Sequence, residues 1–147
     1  MKKALGRPYS PTESRASNVV EKIGGTSKKS TCPTEHIEQS RVVQWCRAQY
    51  GSKSIFAIPN AGKMSYGSVN HFKSEGRTSG VPDLFIPGRN GVFLGLFIEM
   101  KREHGSVTSF EQLEWIEALN RIGYLACVCK GFDEAKETIQ KYKERMK

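Results

Sequence analysis

Asp83, Glu99 and Lys101 stand in an otherwise apolar stretch, GVPDLFIPGRNGVFLGLFIEMKREHG, which runs from residue 80 to 105. Charged side chains are rarely put into a sheet interior without a partner or a task. Strand side chains alternate faces, so Glu99 and Lys101 share one face while Ile98 and Met100 share the other. A hairpin turning at the GRNG tetrapeptide can bring Asp83 alongside Glu99. Two carboxylates so placed repel each other unless a cation lies between them. Oxygen ligands, with waters completing an octahedron, suit a hard divalent ion such as Mg²⁺. Lys101 beside that ion would orient or activate a water, or stabilise developing phosphate charge. A salt bridge from Lys101 to Asp83 or Glu99 on a solvated sheet face accounts for the same three residues equally simply.

Two helices carry further polar anomalies. In SVTSFEQLEWIEALNRIG, an advance of about 100° per residue gathers Leu113, Trp115, Ile116, Leu119 and Ile122 into one apolar stripe. Gln112 falls in the middle of it, and Glu111, Glu114 and Glu117 point away. An amide there needs hydrogen-bond partners. It is either a satisfied core amide or one that reaches a water or phosphate beyond the helix start. In EHIEQSRVVQWCRAQYG, the apolar side is marked by Val42, Val43 and Cys46. The same count places Glu35 and Gln39 on that side and Glu38 nearer its margin. The bland alternative leaves Glu35 in water, favoured by the helix dipole. Taken together, four elements offer three carboxylates, one lysine and two amides, the set that metal-assisted phosphodiester hydrolysis requires.

The elements that must position these groups follow from periodicity and punctuation. Thr34 is a plausible N-cap for a first helix ending near Gly51. KSIFAIP reads as a short strand, and VPDLFIP and VFLGLFIEMKR as two more joined by the GRNG turn. Ser109 caps the next helix and Gly123 stops it. YLACVCK is a further strand, and DEAKETIQKYKERMK is a last helix with Ala135, Ile139 and Tyr142 on one side. The order helix, strand, hairpin, helix, strand, helix predicts an α/β fold, a mixed sheet flanked by helices. Residues 60–80 are polar and Gly/Ser-rich, too long for a simple connector, and so functional or partly helical. Residues 1–33, rich in Ser, Thr, Gly, Pro and Lys, read as a flexible basic segment ahead of a domain at 34–147. That segment is either a tail touching nucleic acid or a solvated leader.

The 147 residues suit one domain with a real core. The net charge of +8 favours a polyanionic partner, with nucleic acid foremost. No apolar run approaches the ~20 residues of a membrane span, and no apolar signal segment opens the chain, so a cytoplasmic protein is expected. Four cysteines without a CxxC pair read as small buried thiols in a reducing compartment.

Pro82-Asp83, fifteen intervening residues and Glu99-Met100-Lys101 together resemble the PD-(D/E)xK nuclease superfamily. More narrowly, GVPDLFIP, GLFIEMKR and SFEQLEWIEALNRIGYLACVC resemble the virus-type replication-repair nuclease (VRR-NUC) domain. TEHIEQSRVVQW and IPNAGK are similar to its opening helix and its strand-plus-loop. The resemblance covers residues 34–130. It implies a restriction-endonuclease-like core and Mg²⁺ or Mn²⁺ held by Asp83, Glu99 and the backbone carbonyl of Met100. Glu35 would complete the acidic cluster, directly or through water, with Gln39 in support. Lys101 would assist the attacking water, and Gln112 would help to position lysine, water or phosphate. It further implies a metal-dependent endodeoxyribonuclease, a homodimer acting on branched DNA such as a Holliday junction or flap in replication, recombination or repair. Asn60, Lys63, Lys73 and Arg77 are candidates for DNA backbone contacts, or else solvated surface. Two alternatives stay open: a sequence-specific restriction-type endonuclease, and a DNA-binding protein that keeps the fold without catalysis.

Overall fold

A computed structural model describes residues 32–59 and 76–146. Almost all of the basic N-terminal segment, and Asn60, Lys63 and Lys73, lie outside the described residues.

The first helix, α1 (Glu35–Tyr50), starts where the Thr34 hydroxyl accepts from the Ile37 amide and stops at Gly51. A two-residue strand follows, β1 (Phe56–Ala57), far shorter than KSIFAIP suggested. It pairs with Leu84 and Phe85 of β2 (Leu84–Pro87). The third strand, β3, runs over Gly95–Lys101. The expected tight GRNG turn is instead a seven-residue connection, 88–94, and β3 begins three residues later than VFLGLFIEMKR implied. Asn90 is the cause. Its side-chain oxygen accepts from the Val92 and Phe93 amides, and its own amide donates to the Phe93 carbonyl. Residues 92–94 therefore curl within the loop instead of extending the strand.

Then come α2 (Phe110–Arg121), β4 (Leu125–Lys130) and α3 (Gly131–Glu144). The sheet order is β1-β2-β3-β4. The first two pairings are antiparallel and β3-β4 is parallel, with α2 as the crossover. The α/β class and the mixed sheet flanked by helices are as the sequence led us to expect.

β3 is covered on both faces. On one, Leu96, Ile98 and Met100 join Leu84, Ile86 and Cys129 under α1 (Val42, Cys46) and α3 (Ala135, Ile139, Tyr142) to form the core. On the other lie Phe97, Glu99 and Lys101. Phe85, Phe97 and Tyr124 stack along its first half, with ring centroids 4.5 Å and 5.2 Å apart for the pairs Phe85–Phe97 and Phe97–Tyr124. Gly95 makes room for them, since a Cβ there would stand 2.6 Å from the Phe85 ring.

Two facing expectations need correction. In α2 only Leu119 is buried, while Leu113 and Ile122 are 43% and 63% exposed. Beside a partial apolar seam the helix carries amide contacts at both ends. At one end sits a capping box. At the other, the Asn120 side chain takes both the N–H (3.0 Å) and the carbonyl (2.9 Å) of Ala126 on the edge strand β4. In α1 the buried row is Glu38, Val42 and Cys46, so Glu38 is not marginal; Glu35 and Gln39 are half-buried. The packed side of the helix is rotated towards α3, where Arg41 both pairs with Glu38 (3.4 Å) and lies 4.6 Å over the Phe132 ring. All four cysteines are free thiols, and Cys127 and Cys129 share a strand face. Among the described residues no helix is long and apolar enough to cross a membrane.

Candidate active site

The β2–β3 register pairs Leu84 with Ile98. One step further along the antiparallel ladder sets Asp83 across from Glu99. Asp83 is pinned twice: its Oδ2 accepts from the Met100 amide at 2.9 Å, and its carbonyl accepts from the Ile58 amide at 2.8 Å. Met100 thus has its side chain in the core and its backbone at the carboxylates.

Glu99 is 1% exposed. Its Oε1 accepts from Lys101 Nζ at 2.7 Å and from Gln112 Nε2. Its Oε2 is buried and has no hydrogen-bond partner among the described residues. Burial drives the Glu99 pKa up to about 7, with the Lys101 hydrogen bond opposing and the charges of Asp83 and Glu35 adding to the rise. The salt bridge of the bland reading is therefore present, but not on a solvated face, because Lys101 is only 6% exposed. A buried pair of this kind is weak evidence for stability, since desolvating both charges offsets their attraction.

Gln112 is a satisfied amide, engaged at both ends of its side chain. As the third residue of α2 it closes the capping box, its Oε1 accepting from the Ser109 amide (2.8 Å) while the Ser109 hydroxyl accepts from the Gln112 amide (3.3 Å). With Oε1 so engaged, the NH₂ end is the one turned to Glu99. Gly80 brings the two regions together. At φ +84° its missing Cβ would lie 2.8 Å from the Glu111 carbonyl, so the chain leading to Asp83 packs against the first turn of α2.

The remaining candidates are more loosely placed. Glu35 is half-buried at the start of α1, near enough for its charge to act on Glu99, and Gln39 sits one turn on. Arg77 is half-buried in the turn before the motif. Sequence reasoning missed Lys130, which the β3–β4 register sets beside Lys101 and on the same face. Lys130 is exposed, with no carboxylate in ion-pair range among the described residues. A lysine at a strand end carries no signal until its neighbouring strand is known.

Chemically, Asp83, Glu99 and a peptide carbonyl form an oxygen-only donor set. The unpartnered Oε2 and the raised Glu99 pKa both call for positive charge at that point, so the residues fit a hard divalent cation. Among the described residues no three His, Cys, Asp or Glu side chains converge on one ion position.

A mixed sheet whose interior strand ends in Glu-x-Lys, facing the Asp of an adjacent strand, is the layout of a PD-(D/E)xK nuclease. The chain belongs to the VRR-NUC family, whose domain model matches residues 26–133. It is similar to a solved structure described as a VRR_NUC domain protein, with a TM-score of 0.68 and 32% identity over 78% of this chain and 92% of that one. No curated protein matches it. Membership of this family makes its function class nuclease-type action on DNA.

Proposed function

We propose that this protein is a metal-dependent endodeoxyribonuclease that cuts phosphodiester bonds in branched DNA during replication, recombination or repair. The observation that carries the proposal is the buried Glu99, with one oxygen bound by Lys101 and Gln112 and the other without a donor. Mg²⁺ or Mn²⁺ would be held by Asp83, Glu99 and the Met100 carbonyl, with Glu35 reaching through water and Gln39 supporting it. Bound there, the cation supplies positive charge to the attacking water and to the phosphate oxygens. Glu99 holds the Lys101 side chain aimed within the buried site, where it orients that water and counters charge growing on phosphorus. Gln112 fixes the carboxylate that does so. Lys130, beside Lys101 but solvent-facing, receives the adjoining phosphate.

Asn60, Lys63, Lys73 and Arg77 contact the DNA backbone, which makes binding salt-sensitive and carries little sequence information. A homodimer would set two such sites symmetrically, as paired cuts in a junction need. The test is a cleavage panel of single strands, flaps, four-way junctions and linear duplex of matched sequence, each with Mg²⁺ and with Mn²⁺. We expect metal-dependent cutting that favours the branched forms. Equal cutting of linear duplex at one sequence supports a restriction-type enzyme instead. Binding without cutting under every condition overturns the catalytic reading.

A further inference from the structure

Three elements begin at the candidate active site and end at one remote cleft. Along α1, Glu35 is near Glu99, and Tyr50 lines the cleft. Along β2, Asp83 precedes the strand, and Pro87 lines the cleft. Along α3, Lys130 before its first residue lies beside Lys101, and Lys143 in its last turn lines the cleft. The four steps from Asp83 to Pro87 span about 13 Å at ~3.3 Å each. Sixteen helical residues at about 1.5 Å each put the two ends of α1 roughly 23 Å apart.

The cleft is lined by Tyr50, Ser52, Lys53, Ser54, Pro87 and Lys143, and no carboxylate lines it. Glu144 approaches Tyr50 without being part of that lining. Elsewhere Arg41, Arg121 and Lys141 each have a carboxylate partner within one helical turn. Among the described residues Lys53 and Lys143 have none; Lys143 sits 5.8 Å over the Tyr50 ring instead. The turn between the lysines is firm, because the Ser54 hydroxyl donates to the Cys46 carbonyl (3.2 Å) and the Ser54 amide to the Gly51 carbonyl (3.1 Å). The Ser52 and Lys53 amides in that turn donate to no acceptor among the described residues. Two unpaired ammonium groups, hydroxyls and spare amides around an open cleft suit a phosphate group. A second groove, beside Trp115, is lined by Glu111 and Glu114 among others and would repel one.

We propose that this cleft binds a backbone phosphate of the DNA, remote from the cut. The inference rests on the DNA reading above and deepens it. At 3.4 Å per nucleotide along one strand, these separations correspond to about four to seven nucleotides. The protein would then need more than a short duplex around the cut for full affinity, and an additional arm of a branched substrate would supply it.

The test compares the wild-type chain with Lys53→Glu/Lys143→Glu by fluorescence anisotropy in EDTA, across a salt series. The probes are a four-way junction with 15-base-pair arms and a six-base-pair duplex. We expect the double variant to bind the junction at least tenfold more weakly, with the slope of log K against log salt shallower by about two. Its affinity for the short duplex should stay unchanged, and Lys53→Arg/Lys143→Arg should restore junction binding. Unchanged junction affinity and slope overturn the inference. So does a lowered melting temperature with an unchanged slope, since these lysines would then only complement helix ends. If millimolar inorganic phosphate protects the wild type from melting but DNA affinity is equal in both proteins, the cleft takes free phosphate and the inference fails. Wild-type protein that binds the junction through the cleft but never cuts it sinks the proposed activity and leaves the inference standing. Wild-type protein that binds no DNA sinks both.

Discussion

On one face of β3, Leu96, Ile98 and Met100 are buried against α1 and α3; on the other, Glu99 and Lys101 are buried almost as deeply against α2. The first face is satisfied by packing alone, since every group on it prefers apolar neighbours. The second is not. It holds two desolvated charges, a carboxylate oxygen without a donor and a second carboxylate across the ladder. Replacing such a pair by apolar residues is often neutral or stabilising. Its presence in an interior strand therefore points to chemistry, while the apolar face points only to folding. The same strand thus separates what holds the molecule together from what it is for.

Substitutions on each face should move different measurements. The largest effect is expected from Asp83→Ala or Lys101→Ala, which should lower single-turnover DNA cleavage by on the order of 10³-fold, with most DNA binding and the fold retained. Wild-type rates in either variant would remove these residues from the mechanism. Next comes Ile98→Ala on the apolar face. It should lose about 2–5 kcal/mol of stability in a urea titration, while the cleavage rate of the protein that stays folded is little changed.

The third comparison is with pH. Glu99 has its folded pKa raised from an ordinary 4.5 to about 7. Between those values the folded chain holds more protons than the unfolded one, so stability without metal should fall as pH rises through that window. At ~1.4 kcal/mol per pKa unit the loss is on the order of 3 kcal/mol. Glu99→Gln/Lys101→Met removes the titrating carboxyl together with its lysine partner, so neither charge is stranded, and its stability should lack that decline. Added Mg²⁺ or Mn²⁺ at pH 8 should raise the wild-type melting temperature and leave the double variant's where it was. A wild type that gains stability across the window would contradict the assignment.

The smallest effect separates the two roles of Gln112. Gln112→Ala and Ser109→Ala each break the capping box and should cost about 1 kcal/mol. Only Gln112→Ala should also slow cleavage, by about tenfold, because only it releases Glu99. Equal rates in the two variants would leave Gln112 a cap and nothing more.

Much of this molecule is legible in its amino-acid sequence. The alternation along FIEMK puts Glu99 and Lys101 on one face, and Thr34, Ser109, Gly51 and Gly123 mark helix ends where the helices begin and stop. Those signals act over three or four residues, within reach of one turn or one pleat. The misreadings share the opposite trait. The strand β1 meets only two residues of β2 in ladder register, and β3 starts late because Asn90 gathers the amides of 92–93 into a loop. Glu38 is buried where its Arg41 partner packs over Phe132 of α3, and Leu113 and Ile122 of the expected stripe are exposed while Asn120 and Gln112 bond to the sheet.

By itself, then, the sequence determined the elements, their caps, the charge that favours DNA and the alternation that separates an apolar face from a charged one. Each of these depends on residues close together in the chain, where local sterics and periodicity act. The hairpin pattern already allowed Asp83 to meet Glu99, but tertiary structure alone decided that Gln112 turns its NH₂ to the same carboxylate, that Lys130 sits beside Lys101 and that Lys53 meets Lys143 in one cleft. Those are meetings between residues 13 to 90 positions apart. They exist only once strand register and helix packing have closed the long loops between them, and no local preference encodes that closure.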